Sequence, residues 1–332
     1  MLSIAYLLLF TLGGWWIVRC LLPRKSPVQR LYLGASLGLF LLMWLPSLMA
    51  AAVRFTVLGH ALAAGVLVLL CAAAYLARDK RSLRRMDAED RRTVALLCWV
   101  ALPLTLLGGY LEITHTFLPT ADGGYSVGQS TYGDLQLHAA ITTSMVDASF
   151  PLHNSLLLDA TMAYPYLSDA VSASLYLLGL PLHVSMQLSG VWMMALVFGG
   201  YTLLARELCH GRKAAGLCVL LLFLNGGLGF FYTLSGTVDG GVTITALDNL
   251  REVLTGYYKT PTNQPDPNNL RFVNIICDMF VPQRTFLGGF AVLMPCLNLL
   301  LPRLLPPREG EAAPEPCPRA LILAGVMGAA CR

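Results

Sequence analysis

Long apolar segments dominate this chain and restrict the folds open to it. Hydrophobic residues make up 56% of the sequence and charged residues 13%, compared with about 25% charged residues in ordinary soluble domains. A membrane-spanning helix needs roughly 20 consecutive apolar residues. Segments of about this length occur at seven places: 3–22, 31–52, 55–77, 93–111, 185–205, 214–234 and 285–302. We therefore expect an all-α, polytopic transmembrane protein.

The distribution of basic residues predicts how these spans are oriented. No lysine or arginine occurs between Thr93 and Ala205, although the chain carries 23 in total. Basic residues crowd four short connections instead: 23–30, 78–92, 206–213 and 303–318. Lysine and arginine near span ends are retained on the cytoplasmic side. We expect these connections to be cytoplasmic and the amino terminus to be outside, in an integral plasma-membrane protein such as one of a bacterial inner membrane.

This topology divides the chain into three parts. Residues 1–92 hold three spans and a basic cytoplasmic loop, and residues 93–302 form a core with exterior segments 112–184 and 235–283. Residues 303–332 are expected to be a proline-rich cytoplasmic linker followed by an apolar segment of about a dozen residues. That segment is too short to span and is interpreted as an incomplete transmembrane helix.

The first exterior segment, 112–184, carries the residues best suited to chemistry. Its six carboxylates are Glu112, Asp122, Asp134, Asp147, Asp159 and Asp169. Asp134 follows a glycine and opens an amphipathic stretch, with Leu135, Ile141 and Met145 as its candidate apolar positions. Asp134 and His138 share one helix face because they are four residues apart. A Phe150-Pro151 break comes next, and Tyr164-Pro165-Tyr166-Leu167 follows.

The apolar stretch 170–183 is expected to be a juxtamembrane helix at the outer interface. Counting it as a span puts the basic connection 206–213 outside, against the charge rule. It is also short for a span, and Pro181 lies near its end.

The order of these features resembles that of the GT-C superfamily of integral-membrane glycosyltransferases, which use polyprenyl-phosphate-linked sugars. Relatives include protein O-mannosyltransferases and lipid A aminoarabinose transferases. In that superfamily a span leads to an acidic exterior loop, two juxtamembrane helices, a proline-containing turn, and a span with a basic cytoplasmic turn. The same order covers roughly residues 93–300 here. The resemblance implies a GT-C-like fold and transfer of a sugar from a polyprenyl-phosphate carrier to an exterior glycan, lipid or protein of the cell envelope.

Carried over to this sequence, the resemblance makes Asp134 the catalytic carboxylate, with His138 as a second catalytic candidate. Asp134 would accept a proton from the acceptor, or hold the acceptor in place. A carboxylate suits this role because the transition state is oxocarbenium-like and the nucleophile needs a base. Tyr164 and Tyr166 are candidate substrate contacts, with the aromatic belt at the membrane interface as the alternative.

The departing lipid phosphate needs a cation. Arg284, just before span 285–302, is the candidate for binding it together with the helix amino terminus, and Arg271 is the reserve. A divalent metal, Mg²⁺ or Mn²⁺ on Asp134, is the other candidate. Many members of the superfamily have two adjacent acids where this chain has Asp134-Leu135, so metal dependence stays open.

Each candidate also has a structural interpretation. Asp134 can cap a helix, His138 can be a satisfied interfacial histidine, and Arg284 can anchor the span at lipid head groups. Glu112 and His115 are expected at a span end that water reaches. The acids expected to be merely solvated are Asp122, Asp147, Asp159 and Asp169. A zinc site from His115, Asp134, His138 and His153 lacks tight ligand spacing.

Two other functions compete with glycosyl transfer. A transporter needs ionisable residues within its spans, and the predicted spans are almost free of them. The second alternative is a non-catalytic envelope-assembly protein. Asn225-Gly226-Gly227, inside span 214–234, is interpreted as a close helix contact. Nucleic acid is not an expected partner, because the basic runs lie beside spans and serve as topology signals; the expected partners are the lipid-linked sugar and membrane lipid.

Overall fold

The chain folds into a bundle of helices. The computed structural model describes residues 2–128, 132–154, 157, 160–209, 211–228, 247–248, 251, 273–305 and 317–329. It is 75% helical, which confirms the all-α class. The helices are α1 (Leu2–Leu21), α2 (Pro27–Val53), α3 (Val57–Leu76), α4 (Ala88–Leu96), α5 (Leu102–His115), α6 (Tyr132–Met145), α7 (Leu167–Leu177), α8 (Leu182–Leu208), α9 (Arg212–Phe223), α10 (Arg284–Leu304) and α11 (Pro318–Ala329).

Among the described residues, six helical segments are long and apolar enough to cross a membrane. They are α1, α2, α3, α8, α10 and the continuous segment Ala88–His115, in which a π-helical turn joins α4 to α5. Helix α2 begins with a capping box between Ser26 and Gln29, and proline occupies its first turn. Helix α4 begins with a second capping box, between Asp87 and Asp90. A polytopic helical protein is therefore confirmed, and six of the seven predicted spans correspond to helices long and apolar enough to cross a membrane.

The helix predicted over the seventh span, 214–234, ends early: it stops at Phe223, and residues 229–234 lie outside the described residues. Helix α9 has 12 residues, which corresponds to about 18 Å of helix against a hydrocarbon thickness of about 30 Å. The backbone is irregular from Leu224 to Leu228, so Asn225-Gly226-Gly227 follows the helix instead of lying within a span. Most of segment 235–283 lies outside the described residues.

The side chain of Asn274 hydrogen-bonds the carboxyl-terminal end of α9. Its Nδ2 donates hydrogen bonds to the carbonyls of Phe223, at 2.9 Å, and Asn225, at 2.6 Å. Its Oδ1 accepts from the amide of Ile276 at 2.9 Å, which begins the π-helical turn Ile276–Phe280. Phe223 packs against Phe198, near the middle of α8. The chain therefore has irregular backbone after Phe223, beside the middle of α8. Phe223 and Asn274 are buried there, whereas Leu224, Asn225, Gly226 and Leu228 are exposed.

The basic connections meet at one end of the bundle. The amide of Arg84 donates to the carbonyl of Pro23 at 3.0 Å, and Arg319, at the start of α11, lies 3.6 Å from Asp79. Arg206, at the end of α8, pairs with Glu89. These contacts join the predicted cytoplasmic connections 23–30, 78–92 and 206–213 to one another and to Arg319, which borders connection 303–318. Connections on the same side of the membrane are expected to meet in this way.

The acidic segment 112–184 gathers at the opposite end. Ser3, in the first turn of α1, donates from Oγ to the carbonyl of Leu178 at 2.8 Å, and the amide of Phe55 donates to the carbonyl of Ala148 at 2.7 Å. A short antiparallel hairpin, β1 (Phe117–Pro119) and β2 (Tyr125–Val127), was not predicted. It connects α5 to the region before α6.

Helix α6 forms where the amphipathic pattern predicted it. The apolar positions Leu135, Ile141 and Met145 are 0–1% exposed and pack inward. The short helix α7 is also confirmed, but it does not lie on a surface. All its residues from Ser168 to Leu175 are buried, and it packs against α2, α8, α10, α6 and α1.

Candidate functional site

Helix α7 carries a row of polar side chains into the interior of the bundle. Ser168, Asp169, Ser172 and Ser174 are 0–4% exposed. The apolar residues between them are mostly small, which allows neighbouring helices to approach closely. Because α7 packs against five other helices, three of these side chains reach polar groups of other helices: Asp169 meets His138, Ser172 meets Arg284, and Ser174 meets His60. The candidate site is built around this helix.

His138 and Asp169 form a buried pair between α6 and α7. The imidazole Nδ1 lies 2.9 Å from Oδ2 and 3.1 Å from Oδ1 of Asp169. Both side chains are 0% exposed. The expectation that Asp169 is a solvated exterior acid is therefore wrong, because packing of α7 inside the bundle removes it from water. The other imidazole nitrogen, Nε2, is buried and has no hydrogen-bond partner among the described residues.

Tyr164 connects the histidine to the start of α10. Its ring lies edge-on to the imidazole of His138, with centroids 5.7 Å apart. Its hydroxyl donates to Oε1 of Gln283 at 3.5 Å and lies 3.4 Å from Oγ1 of Thr285. Tyr166 faces elsewhere and packs edge-on against Phe150. Burial raises the pKa of the Tyr166 phenol, so this hydroxyl is neutral.

Arg284 begins α10 and turns into the protein. Its side chain is 0% exposed, and Nη1 lies 3.5 Å from Oε1 of Glu112, which is 1% exposed. Nη2 donates to the carbonyl of Met186 at 2.6 Å, to Oγ of Ser172 at 3.1 Å, and to Ser189. The alternative that Arg284 extends to lipid head groups is wrong. The expectation that water reaches Glu112 and His115 is also wrong, since both are under 5% exposed.

Gly190 allows this ion pair to form. A Cβ atom built at Gly190 would overlap the carboxylate of Glu112 and the guanidinium of Arg284. Helix α8 therefore needs a residue without a side chain at this point. The pair lies at the ends of two candidate spans, Ala88–His115 and Arg284–Leu304, just outside the predicted limits 93–111 and 285–302.

Asp134 is the accessible member of the site. It is the third residue of α6 and is partly exposed, so it lies within the helix and not before it, as an N-cap does. One turn later on the same face comes His138. The structure thus brings Asp134, His138 and Tyr164 to one region beside the start of α10. Arg271 lies outside the described residues.

Two of the other exterior acids, Asp122 and Asp147, are exposed to solvent. Asp122, at the tip of the hairpin, is exposed, and hydrogen bonds from Thr120 and the amide of Gly124 lower its pKa. Asp147 is exposed and pairs with Arg54 at 3.3 Å. Both are solvated, as expected. Asp159 lies outside the described residues.

Within the described ranges, no group of three or more histidine, cysteine, aspartate or glutamate side chains is arranged to hold a metal ion. The zinc site from His115, Asp134, His138 and His153 is therefore not formed. The Mg²⁺ or Mn²⁺ ion on Asp134 stays a prediction.

Two acids of the site, Asp169 and Glu112, escaped the sequence analysis as functional groups. Asp169 had one signal: it stands among Ser168, Ser172 and Ser174 in an otherwise apolar stretch. Polar residues in a buried helix find partners. Glu112 had none, because its partner Arg284 is 172 positions away.

No family model, curated protein or solved structure matches the chain. Functional interpretation therefore starts from the residues and the geometry that they form.

Proposed function

We propose that the protein is a membrane glycosyltransferase that moves a sugar from a polyprenyl-phosphate carrier to an exterior acceptor of the cell envelope. The observation that carries this proposal is the placement of Asp134. A partly exposed carboxylate stands one helical turn from the buried His138–Asp169 pair. It lies at the end of the bundle away from the basic connections, where a lipid carrier presents its head group.

The chemistry requires a group that activates the acceptor. Attack of a hydroxyl on the anomeric carbon passes through an oxocarbenium-like transition state. A carboxylate on the attacking side accepts the hydroxyl proton or holds the hydroxyl in place. Asp134 is suited to this role because it is reachable from outside.

The leaving lipid phosphate needs stabilisation of its developing charge. The amino terminus of α10 contributes a partial positive charge, and Tyr164 places a hydroxyl beside it. Arg284 is a candidate only if it exchanges Glu112 for the phosphate, since it is buried and paired. Arg271 stays a reserve candidate. No step is assigned to a metal ion, because Asp134 lacks neighbouring ligands in the described part of the chain.

The proposal is tested by transfer of a labelled sugar from polyprenyl phosphate in membranes that contain the full chain. Asp134→Asn removes the charge and keeps the shape. Its rate is expected to fall by about 10²-fold or more, as loss of a positioned base produces. Asp122→Asn, an exposed acid of the same segment, is the matched control and should transfer at the parental rate. Parental transfer by Asp134→Asn shows that the carboxylate is not catalytic.

A transporter is the second candidate, and one observation favours it. Glu112 and Arg284 are ionisable, fully buried and located in spans, where such residues commonly mark transport pathways. If no polyprenyl-phosphate sugar is transferred, uptake of solutes into proteoliposomes distinguishes this candidate from a non-catalytic assembly protein. Glu112→Gln should abolish uptake if the pair lies on the pathway.

A further inference from the structure

Two buried histidines of this protein differ in a way that points to a ligand. His60 is 1% exposed, and both of its nitrogens are bonded: Nδ1 lies 2.8 Å from the carbonyl of Thr56 and Nε2 lies 2.9 Å from Oγ of Ser174. His138 is 0% exposed, and only Nδ1 is bonded, to Asp169. A histidine that only ties helices together satisfies both nitrogens, as His60 does. A buried atom without a partner calls for another explanation.

We propose that His138 Nε2 takes the proton of the acceptor hydroxyl and that Asp169 is the residue that positions it. This inference rests on the glycosyl transfer proposed above and assigns the proton to a specific atom. Asp134, one turn earlier on α6, then holds the hydroxyl while His138 removes its proton.

The hydrogen bonds fix the protonation of the imidazole. An ionised carboxylate only accepts hydrogen bonds, and both oxygens of Asp169 face Nδ1. The Nδ1 atom therefore carries the hydrogen, and Nε2 presents a free lone pair. When Nε2 takes up a proton, the imidazolium faces a carboxylate in the same buried space. Asp169 thus stabilises the charged form without being protonated.

The transfer step balances with these groups. The acceptor oxygen forms a bond to the anomeric carbon as the bond from that carbon to the phosphate oxygen breaks. The electron pair of the broken bond leaves with the lipid phosphate. The hydroxyl proton moves to Nε2, and it is returned to solvent when the products leave.

Two other polar atoms of these helices also lack a partner. Oγ1 of Thr142, one turn after His138 on α6, and Oγ of Ser168, next to Asp169 in the chain, are buried without a hydrogen-bond partner among the described residues.

Tyr164 controls access to the imidazole in this arrangement. It is partly exposed and is held at its hydroxyl by contacts of 3.4 and 3.5 Å, which is the weak end of hydrogen bonding. A ligand hydroxyl that replaces these contacts moves the ring and uncovers His138.

The first test is the kinetics of Asp169→Asn in the full-length protein, compared with the parent. We expect kcat to fall by about 100-fold or more, as loss of a general base produces, while KM changes by only a few fold. Asp169→Glu, which keeps the carboxylate, should recover part of kcat. His60→Gln is the matched control for a buried histidine and should retain parental kcat per folded molecule. Parental kcat in Asp169→Asn overturns the proposal.

The second test uses the parent chain and needs no substrate. Nitrogen NMR of ¹⁵N-histidine-labelled protein, with His138→Gln to assign the signal, should show a protonated Nδ1 and a bare Nε2. A protonated Nε2 in the neutral ring overturns the proposal whatever the kinetics. Absence of transfer by the parent with every polyprenyl-phosphate sugar refutes the proposed function and the proton-acceptor role with it. The NMR result then shows whether the pairing itself is correct.

Discussion

Arg284 and Glu112 show how a single buried residue constrains its neighbours. Removing two charges from water is costly, and their attraction offsets the cost only when further hydrogen bonds satisfy the remaining groups. Arg284 donates such bonds to α7 and α8, but its Nε and Oε2 of Glu112 have no hydrogen-bond partner among the described residues. The pair is therefore sensitive to any shift of the helices around it, and α8 approaches it most closely at Gly190.

Replacing Gly190 with alanine is expected to destabilise the protein. The added Cβ overlaps both partners of the ion pair, so α8 must move or the pair must separate. Overpacking costs about 1–3 kcal/mol, and separation of a buried pair costs about 3–5 kcal/mol. The thermal unfolding midpoint in detergent measures the effect.

Gly199→Ala is the control for this substitution. Gly199 lies on the same helix, and a Cβ there would meet only Cδ2 of Tyr32, at 4.0 Å. Alanine also favours helix over glycine, so this variant should match the parent or exceed it. Equal midpoints for the two variants would mean that the close approach at Gly190 does not constrain the pair.

Individual residues were predictable from the sequence where the local pattern decides their environment. Leu135, Ile141 and Met145 were assigned to the buried face of α6 from their spacing, and Asp122 was assigned to solvent. Burial of Asp169 depends on five helices that pack around α7. The periodicity of a short segment contains no information about such distant neighbours, so this environment was not predictable.

At the scale of elements, the break after α9 is the main departure from the predicted topology. Hydropathy continued past Phe223 and suggested a full span. Two glycines follow Asn225 and carry a low helix propensity, and Asn274 supplies the hydrogen bonds that let the helix end there. Hydropathy alone detects the apolar environment and not the backbone conformation. For this reason the position of α9 was predicted from the sequence, and its length was not.

Asn274→Ala is expected to destabilise this junction. The substitution removes the donor to two carbonyls and the acceptor for the amides of Ile276 and Cys277. Each buried polar group left unpaired costs about 1–3 kcal/mol, so a large fall in the unfolding midpoint should result. Hydrogen exchange should rise first at residues 220–228 and 273–280.

Asn298→Ala provides the comparison for Asn274. Asn298 also donates to two carbonyls, those of Gly200 and Met294, but these lie inside regular helices where the carbonyls already accept backbone hydrogen bonds. Its loss should therefore cost less. A smaller effect for Asn274→Ala than for Asn298→Ala would contradict the role of Asn274 as the cap of α9.

At the scale of the whole molecule, charge separates the two ends of the bundle. The basic connections are tied together by contacts such as Arg206 with Glu89, and the acidic segment closes the other end over α7. This separation was predictable from the sequence because charge placement near spans follows a general rule. The candidate site lies at the acidic end, so the proposed function requires that this end face the exterior.

Cysteine labelling tests that orientation directly. In a background where all nine native cysteines are replaced by serine, Asp122→Cys and Arg85→Cys each place a single thiol at an exposed position, one at each end of the bundle. A membrane-impermeant maleimide added to intact cells should label Asp122→Cys, and it should reach Arg85→Cys only after the membrane is opened. The reverse result would place the acidic end and its candidate site in the cytoplasm, where a glycosyltransferase for exterior acceptors cannot act. Labelling of both variants in intact cells would mean that the two ends do not lie on opposite sides, which contradicts the arrangement of the six spans.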